Sequence, residues 1–447
     1  MSDQPGDLPR AVAALQALVR LPTVSHRDPA LVDTAAFDAL HETLARWFPL
    51  LHARLERVEV GGHALLFRWR GTDDARPVVL MAHTDVVPVD EQAPWQHPPF
   101  GGDLEDGVLW GRGTLDDKGP LVVVCDAVES LLENGFTPAQ DVWLSFGSDE
   151  EVSGSTAQAA VGVLRAHGVR PWFVLDEGGA VADGALPGVA VPVAVVGVAE
   201  KGVTSLLLTA EGRGGHASTP ARNGPTARLA RAIARLDRLT LPARTPEPTL
   251  ELFRRLAPHL PATLRPLARN ADRLAPVVTR ALVAAGPESA AMTRTTLAVT
   301  TLFGSPALNV VASTATAGVN VRVMVGDTVD DVVDRVRRAI GDDSIRVDVV
   351  ERGEPSPLSP YDDEAFALLE ATTREVFPDA VPSPYVMMAA TDSRHFTAIC
   401  GRVYRFAPLR MTKSQRESIH SYDERVRVVD LLDGVRWCRR LLEGLPR

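Results

Sequence analysis

Five short stretches of this sequence carry imidazole or carboxylate groups in settings where they could do chemistry. The first, Met81-Ala82-His83-Thr84-Asp85, closes an apolar run, and open α/β sheets gather their ligands at the carboxyl ends of strands. His83 is a candidate metal ligand there. Asp85, two positions on, shares its side of an extended chain and can fix the other ring nitrogen. The second, Gly111-Arg112-Gly113-Thr114-Leu115-Asp116-Asp117-Lys118-Gly119, sets two acids in a glycine-rich turn before a helix. A phosphate loop would need Ser or Thr after Gly-Lys, and Lys118 is followed by Gly119-Pro120 instead. The third places Glu150 and Glu151 after the apolar run Val142–Phe146, at a strand-to-helix turn that can aim both inward where a regular strand cannot. The fourth, Asp176-Glu177, ends another apolar run, and His420 adds a distant imidazole. Taken singly, each cluster reads equally as a polar turn, a solvated acid or a structural histidine. Together, four groups fall at the ends of four neighbouring strands. Mixed imidazole and carboxylate donors with no thiolate suit zinc, cobalt or manganese in an open hydrolytic site.

The elements that must position these groups follow from hydrophobic periodicity. Residues 10–57 read as helical, with apolar positions three and four apart. Strand-like runs around residues 63–71, 77–89, 141–148 and 171–179 then alternate with helices at 119–134 and 155–167. That alternation predicts a mixed, mostly parallel sheet flanked by helices, with right-handed crossovers. After Glu200-Lys201-Gly202 the pattern becomes β-α-β-β-α-β, a ferredoxin-like α+β layer. The expected division is a catalytic domain of residues 1–198 and 353–447, interrupted by an inserted domain at 199–352. Within the insertion, 241–292 holds eight prolines and seven arginines against four acids. It predicts short helices broken by proline, whose arginines face solvent or a partner.

Composition excludes other classes. The chain has 447 residues, 45% hydrophobic and 23% charged, which is neither disordered, collagenous nor coiled-coil. A net charge of −10 argues against a general nucleic-acid binder. Three scattered cysteines, Cys125, Cys400 and Cys438, make neither a disulfide framework nor a thiolate zinc site. The polar start and the short apolar stretches lead us to expect a cytoplasmic protein with no membrane contact. There is no Gly-x-Ser-x-Gly elbow for a serine nucleophile.

In order along the chain, MAHTDVVP, GRGTLDDKG, SDEEVSG, VLDEGG, GRGGHAS, NVVA, NVRV, ATDSRHF and SIHS resemble the motifs of the di-zinc amidohydrolases of metallopeptidase family twenty. These include aminoacylase-1, succinyl-diaminopimelate desuccinylase and Gly-Xaa carboxypeptidase. VAEKG, the 241–292 segment and the stretch from LSPYDD to YRFAP resemble the long branch with Gly-Xaa carboxypeptidase and N-fatty-acyl-amino-acid synthase/hydrolase. The resemblance implies two divalent metal ions, zinc or else cobalt or manganese. His83 and Glu177 would hold one and Glu151 and His420 the other, with Asp116 bridging; Asp176 is the alternative to Glu177. It implies that Asp85 orients His83, that Glu150 is the general base, and that the bond after Asp116 is cis. His216 would reach the oxyanion from a partner subunit, making a homodimer through the inserted domain. Asn309 and Arg322 would hold substrate, and Arg394 would anchor a substrate carboxylate, although an ordinary ion pair explains that arginine as well. The implied activity is hydrolysis of an amide in a small peptide or N-acyl amino acid. The alternatives are the reverse condensation with a fatty acyl group and a ligand-binding member without catalysis.

Overall fold

The computed structural model describes residues 8–447 except 91, 153 and 187. At its centre Gln140–Gly147, Asp73–His83, Phe173–Asp176 and Val403–Arg405 lie side by side and parallel. Their apolar runs are continuous because the sheet is covered on both faces. Val78, Leu80 and Ala82 enter one core while Val79 and Met81 enter another; Leu144 and Trp143 divide the same way, as do Leu175 and Val174. Helices Arg10–Val19, Lys118–Glu133 and Val428–Glu443 supply the first core, and Ser155–Ala166 supplies the second. Five further strands on either side, and Val381–Met387 paired parallel to Val193–Glu200, complete a mixed ten-stranded sheet. Because the central strands share one direction, His83, Gly147 and Asp176 come to one edge, His83 directly opposite Gly147.

A second sheet is wholly antiparallel, in the order Thr296–Phe303, Thr314–Val323, Gly202–Glu211, Ile345–Glu351. With helices Pro225–Asp237 and Val329–Ile340 packed against it, this is the ferredoxin-like layer. The burial of Thr314–Val323 alternates strictly, as a sheet with one covered face requires. Its core, which includes Leu206, Leu208, Val319 and Val336, is separate from those of the large sheet.

Three features depart from the sequence expectations. Residues 10–57 are not helical throughout: Thr34–Trp47 starts afresh after Pro22 and Pro29, capped by Asp33, whose carboxylate accepts the Ala35 N–H at 3.1 Å. Glu56–Val58 is an edge strand, antiparallel to Leu65–Trp69. The short helices expected in 241–292 do form, but with proline at their starts: Pro248, Pro266, Pro276 and Pro287 each sit in a first turn. Although this segment interrupts the small domain in sequence, it packs on the large sheet. Leu252 and Leu256 bury against Val189 and Val193, and Arg255 pairs with Glu251 and Glu370.

A three-stranded sheet that periodicity did not reveal positions the site. Val108–Trp110 pairs with Asp103–Glu105 and with Arg425–Arg427, bringing the glycine-rich turn that begins at Gly111 beside the chain that follows His420. The three cysteines are buried and free. Among the described residues no helix is long and apolar enough to cross a membrane.

Candidate metal centre

His83 ends its strand fully buried. Its Nδ1 lies 3.2 Å from Asp85 Oδ1 and 3.0 Å from the Asp85 carbonyl, while Nε2 is 3.0 Å from Asp116 Oδ1. Asp85 therefore fixes the ring so that the other nitrogen, Nε2, faces Asp116. The same Asp85 carboxylate accepts the Glu150 and Glu151 backbone N–H groups, each at 3.2 Å. One buried acid thus orients the histidine and anchors the turn carrying the two glutamates. Asp116 stands between both imidazoles: His420 Nε2 is 3.0 Å from its Oδ2 and 3.1 Å from Glu151 Oε1. The Asp116-Asp117 peptide bond is cis, and His420 adopts φ of 59°.

Donor atoms of His83, Asp116 and Glu151 all lie within 4.8 Å of one another, the compact mixed set that a divalent cation requires. Glu150 and Glu177 line the same cavity of about 770 Å³, with Arg322, Arg394 and Lys201. Burial raises the Glu150 carboxyl well above the usual range, and although His83 opposes this, Asp392, Glu151 and Asp116 push it further up. Burial and the charges of Asp116 and Asp117 do the same to Glu177. His420 is pushed up to about 10 by its hydrogen bonds to Asp116 and Glu151. So many acids converging out of water need positive charge beyond two imidazoles, and two bound cations fit that need.

Two predicted residues stand elsewhere. His216 is exposed on the short strand Gly215–His216, its Nδ1 accepting the Ser218 N–H at 3.1 Å. Asn309 adjoins it, its carbonyl accepting the Ala217 N–H at 3.0 Å. Neither lines the cavity. Arg322 does, with Nε donating to Asn320 Oδ1 at 3.2 Å. Arg394 does also, with Nη1 donating to the Thr391 carbonyl at 3.1 Å. Asp176 is not among the residues lining the cavity, and its Oδ2 accepts the Ser393 N–H at 2.9 Å.

Sequence reasoning missed Glu424. Fully buried, it pairs with Arg112 Nη1 at 2.7 Å and accepts the backbone N–H groups of Gly113, Leu115 and Asp116 at 2.8–3.1 Å. The only local signal was an acid four residues beyond His420. It also missed the buried pair of Arg405 with Glu200, 3.0 Å apart, in which Glu200 is itself a cavity-lining residue. Lys118 proves to be structural: buried, lowered to about 7 by desolvation, it donates to the carbonyls of Leu18 and Leu21.

A mixed, mostly parallel α/β sheet with imidazoles and acids gathered at the carboxyl edge of its central strands, together with a separate α+β layer, defines the class of α/β metallohydrolases. Residues 79–444 match the model of peptidase family M20/M25/M40, and the chain belongs to that family. It is 34% identical over 401 residues to the probable carboxypeptidase S-like 2 of Dictyostelium discoideum, covering 88% of this chain and 76% of the relative. It is 35% identical over 421 residues to the N-fatty-acyl-amino acid synthase/hydrolase PM20D1 of Xenopus tropicalis, covering 93% and 82%. The fold is that of the M20 metallo-carboxypeptidase Sso-CP2 of Sulfolobus solfataricus, at a TM-score of 0.71, 18% identity and coverage of 98% and 99%. Human carnosine dipeptidase 1 aligns at 0.68 and 16% identity, covering 97% and 95%.

Proposed function

We propose that this chain hydrolyses the amide bond of a small peptide or N-acyl amino acid, releasing an amino acid, with Glu150 as general base. Its relatives include a probable carboxypeptidase and an N-fatty-acyl-amino acid synthase/hydrolase, and a metallo-carboxypeptidase of the same family shares its fold. The observation that carries the reading is that Asp85 holds His83 and both glutamates in one array beside Asp116 and His420. His83, Asp116 and Glu177 would hold one divalent cation, and Asp116, Glu151 and His420 a second, zinc by the donor set or else cobalt or manganese. When bound, such ions lower the pKa of water and polarise a carbonyl.

The chain's own residues supply the rest. Glu150, fixed through its backbone by Asp85, takes a proton from water and returns it to the leaving amine. Arg322, Arg394 and Lys201 give the cavity a cationic side for a substrate carboxylate. We assign residues 199–352 as an inserted lid and dimerisation domain over the catalytic domain of 1–198 and 353–447. Leu302, Phe303 and Leu308 are 64%, 67% and 103% exposed, the first two at the end of the edge strand Thr296–Phe303 and the third next to Asn309, in the turn before the short strand Val310–Val311 that pairs with Gly215–His216; this apolar edge suits a second copy of the chain. His216 and Asn309 would then serve the partner's cavity.

The test is a panel of dipeptides and N-acyl amino acids assayed with zinc, cobalt and manganese. Amino acid release from at least one class is expected; no release from any substrate with any metal contradicts the reading. For His216, a His216→Ala chain mixed with a Glu150→Ala chain should recover about a quarter of native activity, from one working site in each mixed dimer. No recovery after proven subunit exchange refutes its action across the interface.

A further inference from the structure

A second cavity of about 580 Å³ adjoins the metal site. The two share Gly178, the residue after Glu177, and the strand Val381–Met387 and its continuation give Met387 to the first and Met388 to the second. Gly178 has φ of +107°, and a Cβ there would lie 2.5 Å from Met387 Sδ, so glycine is what fits where the two cavities meet. Small side chains open the chamber: Ala180 and Ala182 form its floor on the large sheet. Its outer wall is the proline-rich segment, which contributes Leu252 and residues 285–289 with Met292. This explains what the docking of 241–292 on the large sheet achieves: without it that floor would face water.

We infer that this chamber receives the apolar tail of the substrate's acyl group, making residues 285–292 the determinant of acyl length. The assignment rests on the amide-hydrolase reading above. Charge decides which end of the substrate enters. The cations that suit a carboxylate, Arg322, Arg394 and Lys201, line the metal cavity. In the second chamber both terminal nitrogens of Arg416 donate to backbone carbonyls, of Asp183 and Met411, and Glu288 stands at the wall, whereas Arg394 is held through Nη1 alone to the Thr391 carbonyl and Arg322 through Nε to Asn320. An uncharged chain therefore suits this chamber and an amino acid carboxylate does not. The volume lies within the roughly 300–1,000 Å³ typical of small-molecule sites.

The experiment compares kcat/KM for N-acetyl-, N-hexanoyl- and N-dodecanoyl-phenylalanine in the native metal-loaded enzyme and in Ser289→Trp and Met292→Trp. In the native enzyme kcat/KM should rise with acyl length, by up to roughly fourfold per methylene until the chamber fills. Each tryptophan should cut the dodecanoyl value by on the order of tenfold and leave the acetyl value within about twofold, the latter also reporting an intact fold. Cleavage of all three at equal efficiency, or a length dependence that neither variant alters, overturns the chamber assignment and leaves the amide-hydrolase reading standing. A failure to cut any of the three, while dipeptides are cut, also overturns it. Failure on every amide tried overturns both.

Discussion

Glu150→Ala should lower turnover on any amide that the native protein cuts by roughly 10²–10⁴-fold, the range that a positioned general base contributes. Metal content should stay at the native level, because Glu150 makes none of the imidazole and carboxylate contacts that join His83, Asp116, Glu151 and His420. Its backbone N–H to Asp85 survives the substitution, so the array behind it keeps its shape. Parallel elemental analysis and steady-state kinetics check both halves of this expectation. Turnover within a few fold of native would remove Glu150 from the mechanism. Loss of metal together with activity would make it a ligand instead.

The second large effect concerns stability. Glu424→Ala removes the carboxylate that neutralises buried Arg112 and accepts three backbone N–H groups of the Asp116 turn. Both side chains are almost wholly buried, at 2% and 0% exposure. Breaking such a pair from one side strands a charge out of water and costs about 3–5 kcal/mol, a large part of a domain's total stability. The midpoint of urea unfolding should fall accordingly. Metal affinity should fall with it, since Asp116 loses the acceptor that holds its own N–H. Glu424→Gln keeps the shape but not the charge and should fall between the two. An unchanged midpoint and unchanged metal affinity in Glu424→Ala would mean that the turn is held by other contacts.

How much of this was legible in the sequence depended on distance along the chain. The central strands could be read because a strand buried on both faces is apolar without interruption, as Val78–Ala82 is. The insertion could be read because its strands alternate instead. His83, Asp116, Glu150, Glu151 and Glu177 stood at the ends of such runs, where a parallel sheet gathers ligands. His420 lies in the chain that follows the last recognisable strand, and only its motif pointed to it. Glu424 had no comparable mark: its partners lie 308–312 residues away, and nothing near it in sequence shows a need for buried charge. The docking of 241–292 was hidden for a related reason. Periodicity says that Leu252 and Leu256 share a helix face but not which sheet that face meets. The break in 10–57 has a local cause in Pro22 and Pro29, which interrupt helix continuity although the apolar spacing on either side of them is helical.

In the mechanism proposed above, His83, Asp116, Glu151, Glu177 and His420 hold cations on which amide hydrolysis depends. Its most direct test is to strip the protein with a chelator and add zinc back in steps, reading bound metal and hydrolysis of a cleaved substrate on the same samples. Activity should be lost on stripping and return as occupancy approaches about two ions per chain, the stoichiometry of a shared-carboxylate site. In His420→Ala the same titration should need more zinc to reach that point. Undiminished hydrolysis by the metal-free chain, or saturation with zinc that restores none, would mean that hydrolysis does not depend on these cations.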